Sequence, residues 1–325
     1  MRAAVRDRFG SPAQVVEIRD VETPTPGPGE LLVRVEAAGA NIADWYGVTG
    51  LPYAGRVAMG LRRPKTSEIG VDYAGRVEAV GEGVTRFRPG DDVFGARSGA
   101  FGEYVTARED RAVMPKPANL TFEEAASVAT AATTALQGLR DKGGLEAGQH
   151  VLVNGASGGI GTFAVQMAKA FGAEVTGVCS TANVELVRSL GADHVIDYTR
   201  EDFTRSSRRY DVLLDIAGTR SWADCKRALA PQGTLVIVGA PMGGKLLEPL
   251  RRIARLRLAS LGGSRKVVFF IAKLDRESME TLAELLESGK VKPVVGRTYP
   301  LSEVAEALDY VSKGHVRGKV VIDVK

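Results

Sequence analysis

The chain has 325 residues, 44% hydrophobic and 25% charged, which is enough for two ordinary domains, each with its own core. It holds no run of about 18 apolar residues, its start MRAAVRDRFGSPAQ lacks the apolar centre of a signal peptide, and its only cysteines are Cys179 and Cys225. A membrane span, secretion and a disulfide framework are therefore not expected, a reducing cytoplasm is, and a net charge of +4 is too small for a dedicated nucleic-acid binder.

Residues 1–120 are rich in Gly, Pro and Val, with short alternating segments. LLVRVEAAGA (31–40) alternates apolar and polar after the proline-rich TPTPGPGE, GVDYAGRVEAVGEGV (70–84) repeats the pattern, and RPGDDVFG (88–95) is a turn into a strand. Many short strands separated by turn signals predict an antiparallel, barrel-like domain. The texture changes at TFEEAASVATAATTALQGLRD (121–141), which predicts a helix capped by Thr121 with acidic residues in its first turn.

Strands and helices then alternate. The predicted strands are HVLVNG (150–155), EVTGVCS (174–180), HVIDY (194–198), VLLDIAG (212–218) and TLVIVGA (234–240). The helices between them include GIGTFAVQMAKAFG (159–172), NVELVRSLG (183–191) and WADCKRALAPQG (222–233). Continuous apolar strands alternating with helices predict a doubly wound parallel sheet. EPLRRIARLRLASLGGSRK (248–266) is the densest basic stretch and reads as a solvated helix face, with Leu246, Leu250 and Ile253 on one side. VVFFIAK (267–273), a helix over ESMETLAELLESG (277–289) and a closing strand GKVVIDVK (318–325) complete the chain.

The chemistry starts at VLVNGASGGIG (151–161), the first strand-to-helix turn of this series. A helix beginning near Gly158 presents free N–H groups and its positive dipole end to a phosphate. Gly158 allows close backbone approach to a pyrophosphate and Gly161 allows the helix to pack on its strand, while Ala156 stands at the first glycine of G-x-G-x-x-G. Ala156, Ser157, Gly158, Gly159, Ile160 and Gly161 are thus candidate cofactor-binding residues. A structural glycine corner is the competing reading, and repetition of the strand–helix unit favours the cofactor.

The end of the second strand tells nucleotides apart. An acid about 20 residues past the loop holds the ribose 2′-hydroxyl of NAD. Here Cys179-Ser180-Thr181 carries none, and Ser180, Thr181 and the Asn183 amide tolerate a 2′-phosphate, so NADP(H) is expected. Arg188, Tyr198 and Arg200 are the alternatives for its charged or hydroxyl partner, and an ordinary helix cap is the plain reading of Ser180 and Thr181. Ala217 and Gly218 after the fourth strand, and Val238 and Gly239 after the fifth, lie where doubly wound sheets bind ligands. Phe270 and Ile271 border either the nicotinamide or a dimer edge.

These motifs, with VETPTPGPGELLVRVEAAGAN (21–41), SGAFGEYV (98–105), LGADHVIDY (190–198) and GKVVI (318–322), give a pattern that covers nearly the whole chain. It resembles the medium-chain dehydrogenase/reductase superfamily, in its zinc-independent quinone oxidoreductase (zeta-crystallin-like) branch. The resemblance implies a GroES-like antiparallel β-barrel catalytic domain over 1–122 plus 274–325, with a doubly wound parallel Rossmann NADP-binding domain inserted over 123–273. It implies that cofactor and acceptor meet in a cleft between the two, and that the protein is a homodimer.

Zinc-dependent alcohol dehydrogenases share the superfamily and need thiolate and imidazole ligands. Their ligand positions correspond to Asn41, Val71 and Thr130, no cysteine precedes Cys179, and His150, His194 and His315 are the only histidines. No metal site is expected, and His150 and His194, at strand starts, read as surface or packing residues. Without a metal, the natural reaction is hydride transfer from NADPH to an acceptor that is already electrophilic, a quinone or an α,β-unsaturated carbonyl.

In NIADWYG (41–47) the resemblance assigns Asn41 to the acceptor or ribose and Tyr46 to an aromatic of the active site. Asp44 is a candidate there, though fixing its own loop is the stronger reading, and Tyr53 is a second aromatic candidate. Thr134 matches a threonine beside the nicotinamide, or else a helix residue bonding its own backbone. Asp72 reads as a structural hydrogen-bonding group, and Lys319 as either a cofactor neighbour or a surface residue. Two alternatives to quinone or enone reduction remain: an enoyl-thioester reductase, and a weakly catalytic NADP-binding module that contacts RNA through the arginines of 251–257.

Overall fold

The structure is a computed structural model that describes residues 1–218, 220–238, 254–256, 258, 260 and 263–325. The chain divides into two compact units. One comprises Met1–Thr133, Leu274–Gly289 and Pro293–Lys325; the other comprises Thr134–Lys273 and Lys290–Lys292.

The first unit holds strands β1 (Arg2–Val5), β2 (Glu17–Asp20), β3 (Glu30–Ala40), β4 (Asp72–Val80), β5 (Asp92–Ala96), β6 (Tyr104–Arg108) and β7 (Val113–Pro115). β1 and β2 form a separate antiparallel ribbon. β3 is the organising strand. Its first half pairs with β6, its last four residues pair with the closing strand of the chain, and β4 lies along its other edge. Alternation explains its burial: Leu31, Val33 and Val35 enter the core with Tyr73, Val77, Val93 and Phe101, while Arg34 faces out. Gly39 is required in β3, because a Cβ there would meet the Ala126 carbonyl at 2.3 Å.

The second unit holds β8 (His150–Asn154), β9 (Glu174–Cys179), β10 (His194–Asp197), β11 (Tyr210–Asp215), β12 (Leu229–Ile237) and β13 (Lys266–Phe269). They form one parallel sheet in the order β10-β9-β8-β11-β12-β13. Val151, Leu152, Val153, Val212, Leu213 and Leu214 are buried, as strands covered on both faces require. The strand order reverses between β8 and β11, which is the ligand-binding switch point of a doubly wound sheet. β14 (Val295–Pro300) and β15 (Lys319–Asp323) return to the first unit, where β14 pairs in parallel with β15. That pair is the exception to an otherwise antiparallel sheet.

Three predicted boundaries move. The helix expected over 121–141 is broken into Phe122–Ala126, Ala129–Leu136 and a π-helical stretch Gln137–Lys142. Its first break follows Ser127, whose hydroxyl bonds the Glu124 carbonyl at 2.7 Å and competes with helix continuation. The start is as expected, since Thr121 caps the Glu124 N–H and Glu124 returns a bond to the Thr121 N–H. The fourth strand of the series, expected over 212–218, ends at Asp215, which accepts the Gly218 N–H at 3.0 Å and turns the chain. The helix expected over 222–233 ends at Ala228, because Pro231 cannot continue it and the chain enters β12. Leu246, Leu250, Ile253 and the arginines 251, 252 and 257 lie outside the described residues.

Candidate active site

In the first unit, Asn41 ends β3's run and caps the helix Ile42–Thr49. Its N–H donates to Asp44 Oδ2 at 2.8 Å, the closure that starts the helix and fixes Asp44. Both side chains are buried. The Asn41 amide Nδ2 donates to Asp72 Oδ2 at 3.0 Å and to the Gly39 carbonyl at 3.3 Å, and its Oδ1 accepts from Lys319 Nζ at 2.6 Å. Asp72 also accepts both the backbone N–H of Thr130, at 3.1 Å, and its hydroxyl, at 2.5 Å. Lys319 Nζ lies 3.8 Å from Asp72 Oδ2 and 3.5 Å from the Ala40 carbonyl.

Two of the three positions that the resemblance matches to zinc ligands, Asn41 and Thr130, are thus tied together through Asp72. The third, Val71, offers no donor atom. Lys319 is 3% exposed, so its surface alternative is removed. The group contains two carboxyls and one amine, all out of water. Burial, then the neighbouring Asp72 charge, pushes the Asp44 carboxyl up to about 7. Burial also raises Asp72, opposed chiefly by Lys319, and lowers Lys319, opposed by Asp72 and Asp44.

The two aromatic candidates stand differently. Tyr46 is half-buried on the same helix, its ring 5.4 Å from Trp45 in an edge-on contact, and burial raises its phenol. Tyr53 is 45% exposed, begins the turn Tyr53–Gly55, and has the Arg56 guanidinium 4.7 Å over its ring. The network joins Asn41, Asp44, Asp72, Thr130 and Lys319 but not Tyr53.

In the second unit, register lines up the carboxyl ends of the strands. Asn154 pairs with Val178 and Asp215, Cys179 with Asp197, Asp215 with Ile237, and Ile237 with Phe269. The segments that follow these ends contain Ala156–Gly161, Ser180–Asn183, Tyr198, Ala217 with Gly218, Val238, and Phe270 with Ile271, so all of them share one edge of the sheet. Gly239 lies outside the described residues. Thr134 is buried in the helix Ala129–Leu136.

At the loop, Gly155 has φ 98° and turns the chain. Ala156 is fully buried, with its N–H on the Val178 carbonyl at 2.9 Å, so the first glycine of the motif is replaced by a packed alanine. Gly158 is the N-cap of the helix Gly159–Ala170 and has no side chain to accept from the first turn. The N–H groups of that turn are therefore presented bare, which suits a pyrophosphate. Gly161 could carry no Cβ, since one would fall 2.1 Å from the Gly155 carbonyl. Ile271 is 84% exposed, and Phe270 lies near Gly138, where an added Cβ would come within 3.6 Å of the ring.

Sequence reasoning missed two acids at this edge, Asp197 and Asp215. Both end their strands and both are buried. Asp215 Oδ1 accepts Asn154 Nδ2 at 2.8 Å, tying the switch-point strands. Asp197 stands beside Cys179 in register, so the end of β9 has a carboxylate next door although its own sequence has none. A search along single strands overlooks a neighbour supplied by pairing; the shared ending V-I-D and L-L-D was the available signal. At the opposite ends of the strands, His150 and His194 flank Glu174 at 3.2 and 3.0 Å. Burial pushes the Cys179 thiol up to about 11, which leaves it unreactive. Among the described residues no three His, Cys, Asp or Glu side chains group as a metal site, and no helix is long and apolar enough to cross a membrane.

Residues 27–118 match the alcohol dehydrogenase GroES-like domain and residues 190–322 match the zinc-binding dehydrogenase family. The chain is 36% identical to the mitochondrial NAD(P)H oxidoreductase RTN4IP1 of Mus musculus, over 91% of this chain and 82% of that protein. It is 31% identical to the chloroplastic quinone-oxidoreductase QR1 of Triphysaria versicolor, over 99% and 98%. The solved quinone oxidoreductase of Coxiella burnetii superposes with a TM-score of 0.85 at 28% identity, covering 100% of this chain and 99% of that one.

Proposed function

Since the chain belongs to the medium-chain dehydrogenase/reductase superfamily, in its quinone oxidoreductase branch, we propose that it is a zinc-independent, NADPH-dependent reductase of quinones or α,β-unsaturated carbonyls. The coarser statement, an oxidoreductase that uses a nicotinamide nucleotide, follows from the family and its NAD(P)H-dependent relatives.

The observation that carries the finer reading is the Asn41–Asp72–Thr130–Lys319 network. At the three positions that the resemblance matches to zinc ligands stand a neutral amide, an apolar side chain and a hydroxyl instead of thiolates and imidazole; the amide and the hydroxyl are bound to the Asp72 carboxylate, and the Lys319 amine lies beside it. Hydride transfer to a carbonyl compound leaves negative charge on its oxygen. With no metal to bear that charge, the acceptor itself must delocalise it, as quinones and conjugated enones do and simple ketones do not.

The residues present fit a dinucleotide. The bare first turn after Gly158 would take the pyrophosphate, Ser180, Thr181, Asn183 and Tyr198 the adenosine ribose, and Ala217, Gly218 and Val238 the run of the nucleotide along the sheet edge. Bound there, the nicotinamide supplies a hydride. In the first unit, Tyr46 is a half-buried aromatic that could stack on a quinone ring, and Asn41 is fixed at the start of the same helix.

Steady-state oxidation of NADPH with a panel of benzoquinones, naphthoquinones, alkenals and simple ketones tests the reading. Turnover of quinones or enones with NADPH is expected; turnover of simple ketones alone, or of nothing in the panel, counts decisively against it.

A further inference from the structure

Besides the hydroxyls of Ser180 and Thr181, three side chains near the end of β9, Arg188, Tyr198 and Arg200, could meet a nucleotide 2′-phosphate, and their surroundings separate them. Arg188 is committed, with Nη1 2.6 Å from Glu185 Oε1 on its own helix. Tyr198 is half exposed and carries no charge. Arg200 follows two residues later, its backbone N–H anchored on the Asp197 carbonyl at 3.0 Å. Among the described residues its guanidinium makes no hydrogen bond; its Nε stands 3.5 Å from Asp197 Oδ2 with the side chain 75% exposed.

Asp197 explains both the placement and the freedom of that guanidinium. Its Oδ1 accepts the Thr199 N–H at 3.0 Å and the Thr199 hydroxyl at 2.8 Å, and its Oδ2 accepts the Thr181 hydroxyl at 2.6 Å. The Thr181 bond foremost holds the carboxyl below the usual range, so it is ionised at neutral pH. A carboxylate that selects NADH must offer lone pairs to a ribose hydroxyl. Protein donors already take three of this one's about four acceptor sites. It serves instead as a fixed negative post that draws Arg200 to the oxygen it shares with Thr181, at the end of β9. The two Nη groups remain available, in the fork geometry that suits a phosphate.

We infer that Arg200 is the residue that selects the 2′-phosphate of the nucleotide, with Asp197 as its positioning residue. The inference rests on the nucleotide reading proposed above and names the group that would enforce it. The plain alternative is a surface ion pair of no consequence for binding.

Calorimetric titration with adenosine 2′,5′-bisphosphate and with AMP isolates the 2′-phosphate from the nicotinamide and from turnover. The wild-type protein is expected to bind the bisphosphate ~10- to 100-fold more tightly than AMP, the size of a charge-assisted phosphate contact. Arg200→Ala should shrink that ratio to about twofold or less, with AMP affinity and melting temperature unchanged, and Arg200→Lys should restore part of it. If the wild type shows no preference for the bisphosphate, the NADPH reading fails and this inference with it. If the wild type shows the preference and Arg200→Ala keeps it, only the assignment to Arg200 is overturned.

Discussion

Lys319 Nζ donates to Asn41 Oδ1 across 2.6 Å, joining residues 278 positions apart in the chain. The contact orients the amide. A lysine can only donate and an ionised aspartate can only accept, so the Asn41 oxygen must face Lys319 and its nitrogen must face Asp72. Lys319→Met would leave the Asp72 carboxylate buried without its cation, at a cost of about 3–5 kcal/mol. Lys319→Met with Asp72→Asn removes both charges and should cost clearly less than the sum of the single changes. Urea unfolding of the four proteins checks this, and simple additivity would show that the two ions do not support one another.

Asp44 gives the stability a pH dependence of definite sign. Its carboxyl is pushed up to about 7 in the folded protein, from an ordinary value near 4, so the folded state keeps a proton that the unfolded state releases between these limits. More protons bound in the folded state means that stability falls as pH rises, by at most about 1.4 kcal/mol per pH unit from this one group. The groups facing it are Asp72, Lys319, Asn41 and Arg6. Asp44→Asn keeps a carbonyl oxygen for the Asn41 N–H and has nothing to titrate. The variant should match the wild type at about pH 3, where Asp44 is protonated in both states, gain on it between about pH 4 and 7, and exceed it most at about pH 8 in denaturant midpoints; parallel pH curves for the two proteins would contradict the assignment.

The second unit was legible because each local signal there has one period and one outcome. Val151–Val153 and Val212–Leu214 are apolar without alternation, which only a sheet covered on both faces explains, and the glycines after Asn154 mark its first turn. What pairing creates could not be read along the chain. Asp197 reaches the end of β9 only through register, and Lys319 reaches Asn41 only because β15 lies against β3. Lys319 in isolation reads equally well as a surface residue; it is buried with its amine on Asn41 Oδ1 and beside Asp72. The break after Ser127 was hidden for a related reason: one hydroxyl bond to Glu124 outweighs a long run of alanine propensity.

Gly161 tests whether the loop glycine serves packing as well as ligand. A Cβ at this position would sit 2.1 Å from the Gly155 carbonyl and 2.7 Å from Ala156 Cα, both backbone atoms that cannot step aside singly. Gly161→Ala should therefore lower stability by about 3 kcal/mol before any nucleotide is added. Gly144 is the control, since φ 61° there strains an alanine but nothing lies within 4 Å, and Gly144→Ala should cost only about 1 kcal/mol. Thermal unfolding of the two variants separates these terms, and equal melting temperatures would mean that the turn yields where the geometry says it cannot.

Zinc content follows from the same network as Asn41 and Lys319. A dication binds where deprotonated thiolates, neutral imidazoles or carboxylates converge. Asn41 and Thr130 offer an amide and a hydroxyl whose contacts to Asp72 are already made, Val71 offers nothing, and the Lys319 ammonium adds a positive charge 2.6 Å from Asn41 Oδ1. Of the two carboxyls in the network, Asp44 is bound to the Asn41 N–H, and Asp72 is held by Thr130, Asn41 and Lys319 together. Protein produced in zinc-supplemented medium should contain well below about one zinc per chain by plasma mass spectrometry, and incubation with a chelator should leave NADPH oxidation unchanged. Stoichiometric zinc that survives dialysis, with activity lost on chelation, would mean that ligands outside this network hold the metal and that the acceptor need not be a quinone or enone.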